Sequence, residues 1–249
     1  MCRIKKTVKF LLFLLGSIVY RNHKSKILYY HDIYLERSYK SLDSDIPMGT
    51  SIEMFKKHLE VIRQEGYRIV PQITKPEDEV AIMLDDGFRG IWDNRQFFYE
   101  NNICPTVFLA VDLIGREGFL TEEEILELQS HGFIFQCHSW SHKDLTSFNY
   151  EELKKELVDS KNHLEKLLGK EVSEICLPLG FFSDHLMELI RSEGYKVAYS
   201  SVPGDYFDPL CESLRTRNLL QFANCLDLRL ILRGGATILR NHYIKMYHR

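Results

Sequence analysis

The chain has 249 residues, 45% of them hydrophobic and 27% charged, which suits one large folded domain and argues against an intrinsically disordered chain. Six cysteines with no CxxC pair exclude a small disulfide scaffold and lean towards a reducing compartment. The net charge of −3 conceals two basic ends: Arg3, Lys5, Lys6, Lys9, Arg21, Lys24 and Lys26 at the start, and Arg229, Arg233, Arg240, Lys245 and Arg249 after Asp227, neither group containing an acid.

The first predicted element is the apolar run over residues 10–20, set among those basic residues. It is short for a spanning helix, which needs roughly 20 apolar residues, and no small-x-small cleavage site follows it. Residues 1–25 suit a segment lying on an anionic membrane surface, which would place the protein at the cell envelope. A cleaved secretory signal and a helix packed on the domain are the competing readings.

Residues 26–30 (KILYY) form the first strand candidate. Residues 51–65 place Met54, Phe55, Leu59 and Ile62 at helical spacing, and Gly66 turns the chain into extended residues 68–70. Strands are expected at 80–84 and 105–109. A helix over 121–131 opens with Thr121 and Glu124 as a capping box and stops at Gly132, before extended residues 133–135. A long helix over 150–168, a strand at 174–177 and a helix over 183–193 follow, the last ending at Gly194 before Val197. Cys104, Cys137 and Cys176 lie in or beside apolar runs and read as buried small hydrophobes. Short strands alternating with helices predict an α/β fold with a mostly parallel sheet. Six or seven such units before about residue 200 favour a barrel over an open sheet. The predicted division is an N-terminal segment 1–25, a domain 26–220 and a basic helical tail 221–249.

The polar residues collect where the strands end. The first strand runs into His31-Asp32, the 80–84 strand into Asp85-Asp86-Gly87, the 133–137 stretch into His138-Ser-Trp-Ser-His142, and ICL into Pro178-Leu179-Gly180. In a parallel barrel all strand ends point to one face, where chemistry collects. An Asp-Asp-Gly alone is a turn, and an HxxxH alone is usually a surface pair; four strands delivering acids and imidazoles to one mouth make a site. Two imidazoles and one carboxylate suit a divalent metal, zinc foremost with Co2+ or Ni2+ as alternatives, while a second carboxylate beside it is free to take a proton from water.

These residues resemble the polysaccharide deacetylases with a NodB-homology domain, carbohydrate esterase family 4. Met83-Leu-Asp-Asp-Gly87 is similar to the family's first motif and His138-Ser-Trp-Ser-His142 matches its second, with the likeness running over about residues 26–220. The resemblance implies a distorted (β/α)7 barrel and hydrolysis of an N-acetyl group on a sugar. It implies Asp85 as general base and Asp86, His138 and His142 as metal ligands. The third motif departs from the family pattern. Cys176-Leu-Pro-Leu-Gly180 lacks the usual Arg and Tyr, so the Leu179 turn with Gly180 is expected to supply the oxyanion and substrate contact through its backbone, and Arg215 or Arg217 is expected to replace the missing brace of the base. The late Leu-x-His motif is absent too. His242 and His248 fit that role poorly, whereas Tyr29-Tyr30-His31-Asp32 resembles the subgroup acting on exported poly-N-acetylglucosamine, which points to His31 as general acid.

The expected partner is an N-acetylated glycan of a bacterial envelope or capsule, or its lipid-linked precursor. Hydrolysis of another non-peptide amide or an O-acetyl ester, and a non-catalytic glycan-binding role, are the alternatives. No nucleic-acid motif, P-loop or dinucleotide fingerprint is present, and the sequence leaves the oligomeric state open.

Overall fold

The computed structural model describes residues 6–36 and 48–249; Cys2, Arg3 and Lys5 lie outside the described residues. In chain order, helix α1 (Lys6–Val19) precedes strand β1 (Lys26–Tyr30) and a small parallel pair, β2 (Asp32–Tyr34) and β3 (Gly49–Ser51). Helix α2 (Ile52–Gln64), β4 (Arg68–Ile69), β5 (Glu79–Leu84), the short helices α3 (Gly90–Asp93) and α4 (Arg95–Glu100), and β6 (Thr106–Leu109) follow. The middle of the chain forms α5 (Glu122–Ser130), β7 (Ile134–Cys137), then α6 (Tyr150–Lys154) and α7 (Ser160–Leu168) joined by a π-helical turn over Lys155–Asp159. It continues through β8 (Glu174–Cys176), α8 (Asp184–Ser192), β9 (Val197–Tyr199), β10 (Leu214–Arg215), β11 (Asn218–Leu219), α9 (Cys225–Leu232) and α10 (Arg240–Tyr247).

The main sheet runs in the order β10-β9-β8-β7-β6-β5-β1-β11, with every ladder parallel. It is the expected α/β class, curled as a distorted barrel. Alternation along the strands shows the curl: Ile27 and Tyr29 of β1, Ala81 and Met83 of β5, Phe108 of β6, Cys176 of β8 and Tyr199 of β9 form one inner cluster. Their neighbours Leu28, Tyr30, Val80, Ile82, Leu84 and Val107 face the helices. Both faces are apolar, so β1 and β5 are buried along their whole length, as a helix-covered parallel sheet requires. The two edge strands, β10 and β11, are separated in sequence by only Thr216 and Arg217, which places Arg217 at the seam of the curl.

Local signals account for the helices. Ser51 caps α2 and Ser183 caps α8, each side chain accepting the N–H three residues on, and Thr121 with Glu124 closes the expected capping box on α5. Gly66 and Gly132 stand just past α2 and α5 at φ +84° and +93°, where a side chain is disfavoured. Cys137 and Cys176 are buried as expected, but Cys104 is only half-buried, and all described cysteines are free thiols.

The two ends of the chain pack on one another. Gly16 of α1 meets Gly235 so closely that a Cβ on Gly16 would lie 2.3 Å from the Gly235 carbonyl oxygen. Past α10, the Phe182 N–H donates to the Tyr247 carbonyl at 3.0 Å and Arg249 N–H to Phe182 at 2.9 Å. The basic tail is partly neutralised from within: Arg229 and Arg233 both bind Glu65, and Arg240 binds Asp208. Among the described residues no helix is long and apolar enough to cross a membrane.

Candidate active site

The strand ends deliver their polar residues to one mouth. β5 ends at Leu84, and Asp85 still donates its N–H to the Tyr30 carbonyl at 3.0 Å, as a continuation of the ladder. At Asp86 the backbone turns left-handed, φ +71°. β7 ends at Cys137; His138 donates its N–H to Leu109, and the loop then takes Ser139 and His142 through φ +65° and +56°. Of six described non-glycine residues at positive φ, four (Asp86, Ser139, His142 and Leu179) stand in this site. Such backbone costs about 1–3 kcal/mol per residue and gathers where a side chain must be aimed.

Asp86, His138 and His142 converge with ligand atoms within 4.8 Å of one another. Both ring Nε2 atoms face Asp86 Oδ1, at 3.1 and 3.0 Å. That oxygen is buried without a hydrogen-bond donor among the described residues. His138 Nδ1 lies 2.8 Å from the Cys176 carbonyl, to which it donates, fixing the tautomer that leaves the Nε2 lone pair facing the cluster. An orphaned buried oxygen with two nitrogen lone pairs fits a divalent cation, and the N,N,O set suits a metal that keeps open positions. Burial works to raise the Asp86 carboxyl, and the surrounding imidazoles of His142, His138 and His31 together outweigh it, holding Asp86 well below the usual carboxylate range. A second cluster of Asp85, His138 and Cys176 also has ligand spacing, but both Asp85 oxygens already belong to an arginine.

That arginine is Arg217. Its Nη1 and Nη2 donate to the two Asp85 oxygens at 2.7 and 2.9 Å, a bidentate pair buried on both sides. Nε donates to the Ser200 carbonyl at 3.1 Å, and the guanidinium lies 4.0 Å over the Tyr29 ring. Burial pushes the Asp85 carboxyl up, but the charge and hydrogen bonds of Arg217, with His138 and His31, together offset this and hold it below the ordinary value. Of the two predicted candidates, Arg217 therefore contacts the acid. Arg215 lies over the Tyr206 ring at 5.6 Å instead. Cys176 stands where the family's third motif carries Arg, and its Sγ is 2.9 Å from Arg217 Nη2 and 3.6 Å from Asp85 Oδ2.

The 178–180 turn holds Leu179 at φ +59° with its side chain exposed. Gly180 N–H donates to Leu177 within the turn, which leaves the oxyanion assignment to the Leu179 N–H. Gly180 is needed sterically, since a Cβ there would lie 2.6 Å from Ser201 Oγ. His31, at the end of β1, has a buried Nδ1 without a hydrogen-bond partner among the described residues. Burial lowers its pKa, opposed by the charges of Asp86 and Asp85, so His31 shares the field of the metal cluster.

Sequence reasoning missed Glu156. Its Oε2 accepts the N–H groups of Trp140 and Ser141, both at 2.9 Å, and Oε1 accepts the Ser141 hydroxyl at 2.6 Å, which pins the loop between the two histidines. It reaches there because the π-helical turn inserts an extra residue between α6 and α7, a distortion that recurs at functional sites. An acid on a predicted helix gives no sign of this, and only its position on the buried side of the helix could have suggested it.

Comparison with known proteins agrees with this geometry. The polysaccharide deacetylase family matches residues 72–198, just over half of the chain, a stretch containing Asp85, Asp86, His138, His142 and the 178–180 turn. YxkH of Bacillus subtilis, named as a polysaccharide deacetylase, is 24% identical over 180 residues, covering 67% of this chain and 63% of that protein. A 30.6 kDa protein of Geobacillus stearothermophilus is 24% identical over 127 residues, and the chain covers 46% of its length. The fold superposes on the Streptococcus pyogenes deacetylase PplD in complex with acetate, with a TM-score of 0.71 at 19% identity over 85% of this chain and 98% of that one. IcaB from Ammonifex degensii gives 0.70 at 18% identity, over 86% and 98%. With a family match over half its length and the matched Asp and His residues meeting in one cluster, the chain belongs to the polysaccharide deacetylase family.

Proposed function

We propose that the protein removes N-acetyl groups from N-acetylhexosamine units of a bacterial envelope or capsular glycan or its lipid-linked precursor. The observation that carries this reading is Asp85, gripped by Arg217, beside the Asp86, His138 and His142 cluster. Asp86, His138 and His142 would hold a divalent ion, zinc by the donor set, which would supply Lewis acidity and lower the pKa of water. Asp85 takes the proton of that water as its oxygen adds to the carbonyl carbon. Arg217 keeps Asp85 ionised and fixed in one orientation, so the base is ready without rearrangement. The Leu179 N–H receives the developing oxyanion. His31 returns a proton to the amine nitrogen as the C–N bond breaks, giving acetate and a free amine. The Tyr-His pair at 30–31 resembles that of the poly-N-acetylglucosamine subgroup, which supports His31 as the acid.

The test is acetate release from N-acetylglucosamine oligomers by the zinc-loaded protein. Asp85→Asn and His31→Ala should each lower turnover by about 10²–10⁴ with the metal still bound. Full turnover in either variant would remove that residue from the mechanism, and no release by wild type with metal bound would remove the substrate assignment.

We also propose that the protein works on a membrane surface. Val8, Leu11, Leu15, Ile18 and Val19 are exposed along one side of α1, a stripe suited to lying in a lipid interface. Wild type should sediment with vesicles containing anionic lipid and Leu15→Glu/Ile18→Glu should not; equal sedimentation would end this reading.

A further inference from the structure

A cavity of about 570 Å³ lies between α1, the last two helices and the end of β11, within the size range of ligand sites. Phe10, Phe13, Leu219, Ile231, Leu239 and Met246 line it, so its walls are predominantly apolar. Lys6, Lys9 and His242 line it against Asp227, the one acid among the described lining residues. Phe222, 61% exposed, stands at the edge. Tyr29 and Arg217, the pair behind the base, form part of its lining.

We propose that this cavity receives the hydrocarbon chain of the substrate, an N-acetylated sugar carried on an anionic lipid. The proposal rests on the deacetylase reading and narrows its substrate class. Three observations favour a lipid chain over further sugar units. Although Ser201, Asn218, Tyr243 and Tyr247 also line it, most of its wall is aromatic and aliphatic, and burying glycan hydroxyls unpaired against that part is costly. Lys6 and Lys9, which outnumber Asp227 in the lining, complement a phosphate between chain and sugar. The wall facing outward is α1, whose inner side chains Phe10 and Phe13 line the cavity while its other side exposes the apolar stripe, so a chain in a lipid surface meets the cavity along one helix. Arg217 both lines the cavity and holds Asp85, so the cavity backs onto the residue that braces the base.

The experiment compares farnesyl-diphosphate-linked N-acetylglucosamine with the methyl glycoside as substrates of the full zinc-loaded chain, and measures binding of farnesyl phosphate by equilibrium dialysis. The proposal expects kcat/KM at least tenfold higher for the farnesyl-linked sugar. Ala223→Phe and Met246→Trp, which fill the cavity from two sides, should each bring that ratio to about 1 and weaken farnesyl phosphate binding at least tenfold. A ratio near 1 in wild type, or one that survives both fillings, overturns the assignment even if farnesyl phosphate binds. Turnover of neither sugar, with saturable farnesyl phosphate binding that both fillings weaken, sinks the deacetylase reading and the substrate assignment with it. Turnover of both sugars without farnesyl phosphate binding sinks the cavity proposal alone.

Discussion

Asp85 and Asp86 are neighbours with opposite surroundings because the backbone changes hand between them. Asp85 continues the ladder and points at Arg217, while the left-handed turn at Asp86 swings the next carboxylate towards the imidazoles. The acids and histidines were legible in the sequence because strand ends share a face. The brace was legible only as a choice, since Arg215 and Arg217 are two apart and alternation gives both the same side of a strand. What separates them is that the chain leaves the sheet at Thr216–Arg217, which no local pattern announces. Cys176 is small enough to leave the space that the guanidinium fills. Removing Arg217 leaves Asp85 as a buried uncompensated charge, so Arg217→Ala should cost about 3–5 kcal/mol of stability in denaturant unfolding and at least tenfold in kcat. Adding Cys176→Arg should restore part of both, because it returns a guanidinium to the same acid. Failure of the double variant to exceed the single one in either measurement would show that the two positions do not share a role.

At the scale of elements, α2 is tied to the sheet and to the tail by one histidine. The Tyr30 hydroxyl of β1 donates to His58 Nδ1 at 3.0 Å, and His58 Nε2 donates to the Ala223 carbonyl at 3.1 Å, just before α9. Helical periodicity placed α2 correctly but assigned its buried stripe only to apolar residues, and His58 is as buried as Phe55. Burial pushes its pKa down to about 4 from the ordinary 6.5. The unfolded chain therefore takes up this proton more readily than the folded one. Its contribution is complete above about pH 6.5 and is lost as the pH falls towards 4, amounting to roughly 3 kcal/mol at most. His58→Gln should flatten the decline of unfolding free energy between pH 6.5 and 4 relative to wild type. Parallel pH profiles for the two proteins would show that His58 does not titrate on unfolding.

For the whole molecule, what the sequence revealed and what it hid follow from the range of the interactions. Each βα unit announces itself through local periodicity, caps and glycine stops, so β1 and the strands from β4 to β9 were legible, whereas the three-residue β2 and β3 were not. β10 and β11 have two residues each, too few for a pattern, and they close the curl only because distant segments hold them. The two ends of the chain, read as basic segments, are joined by a contact between Gly16 and Gly235 that neither stretch suggests alone. That contact predicts an unusual sign. In an exposed helix interior, replacing Gly by Ala stabilises by about 1 kcal/mol. At Gly16 the added Cβ would press on the Gly235 carbonyl at 2.3 Å, and the backbone opposite has no side chain to move aside. Gly16→Ala should therefore destabilise the protein by about 1–3 kcal/mol in denaturant unfolding, while metal affinity, set at the far strand ends, stays the same. A stabilised Gly16→Ala variant would mean that α1 does not dock through this contact in solution. The cavity would then lack its outer wall.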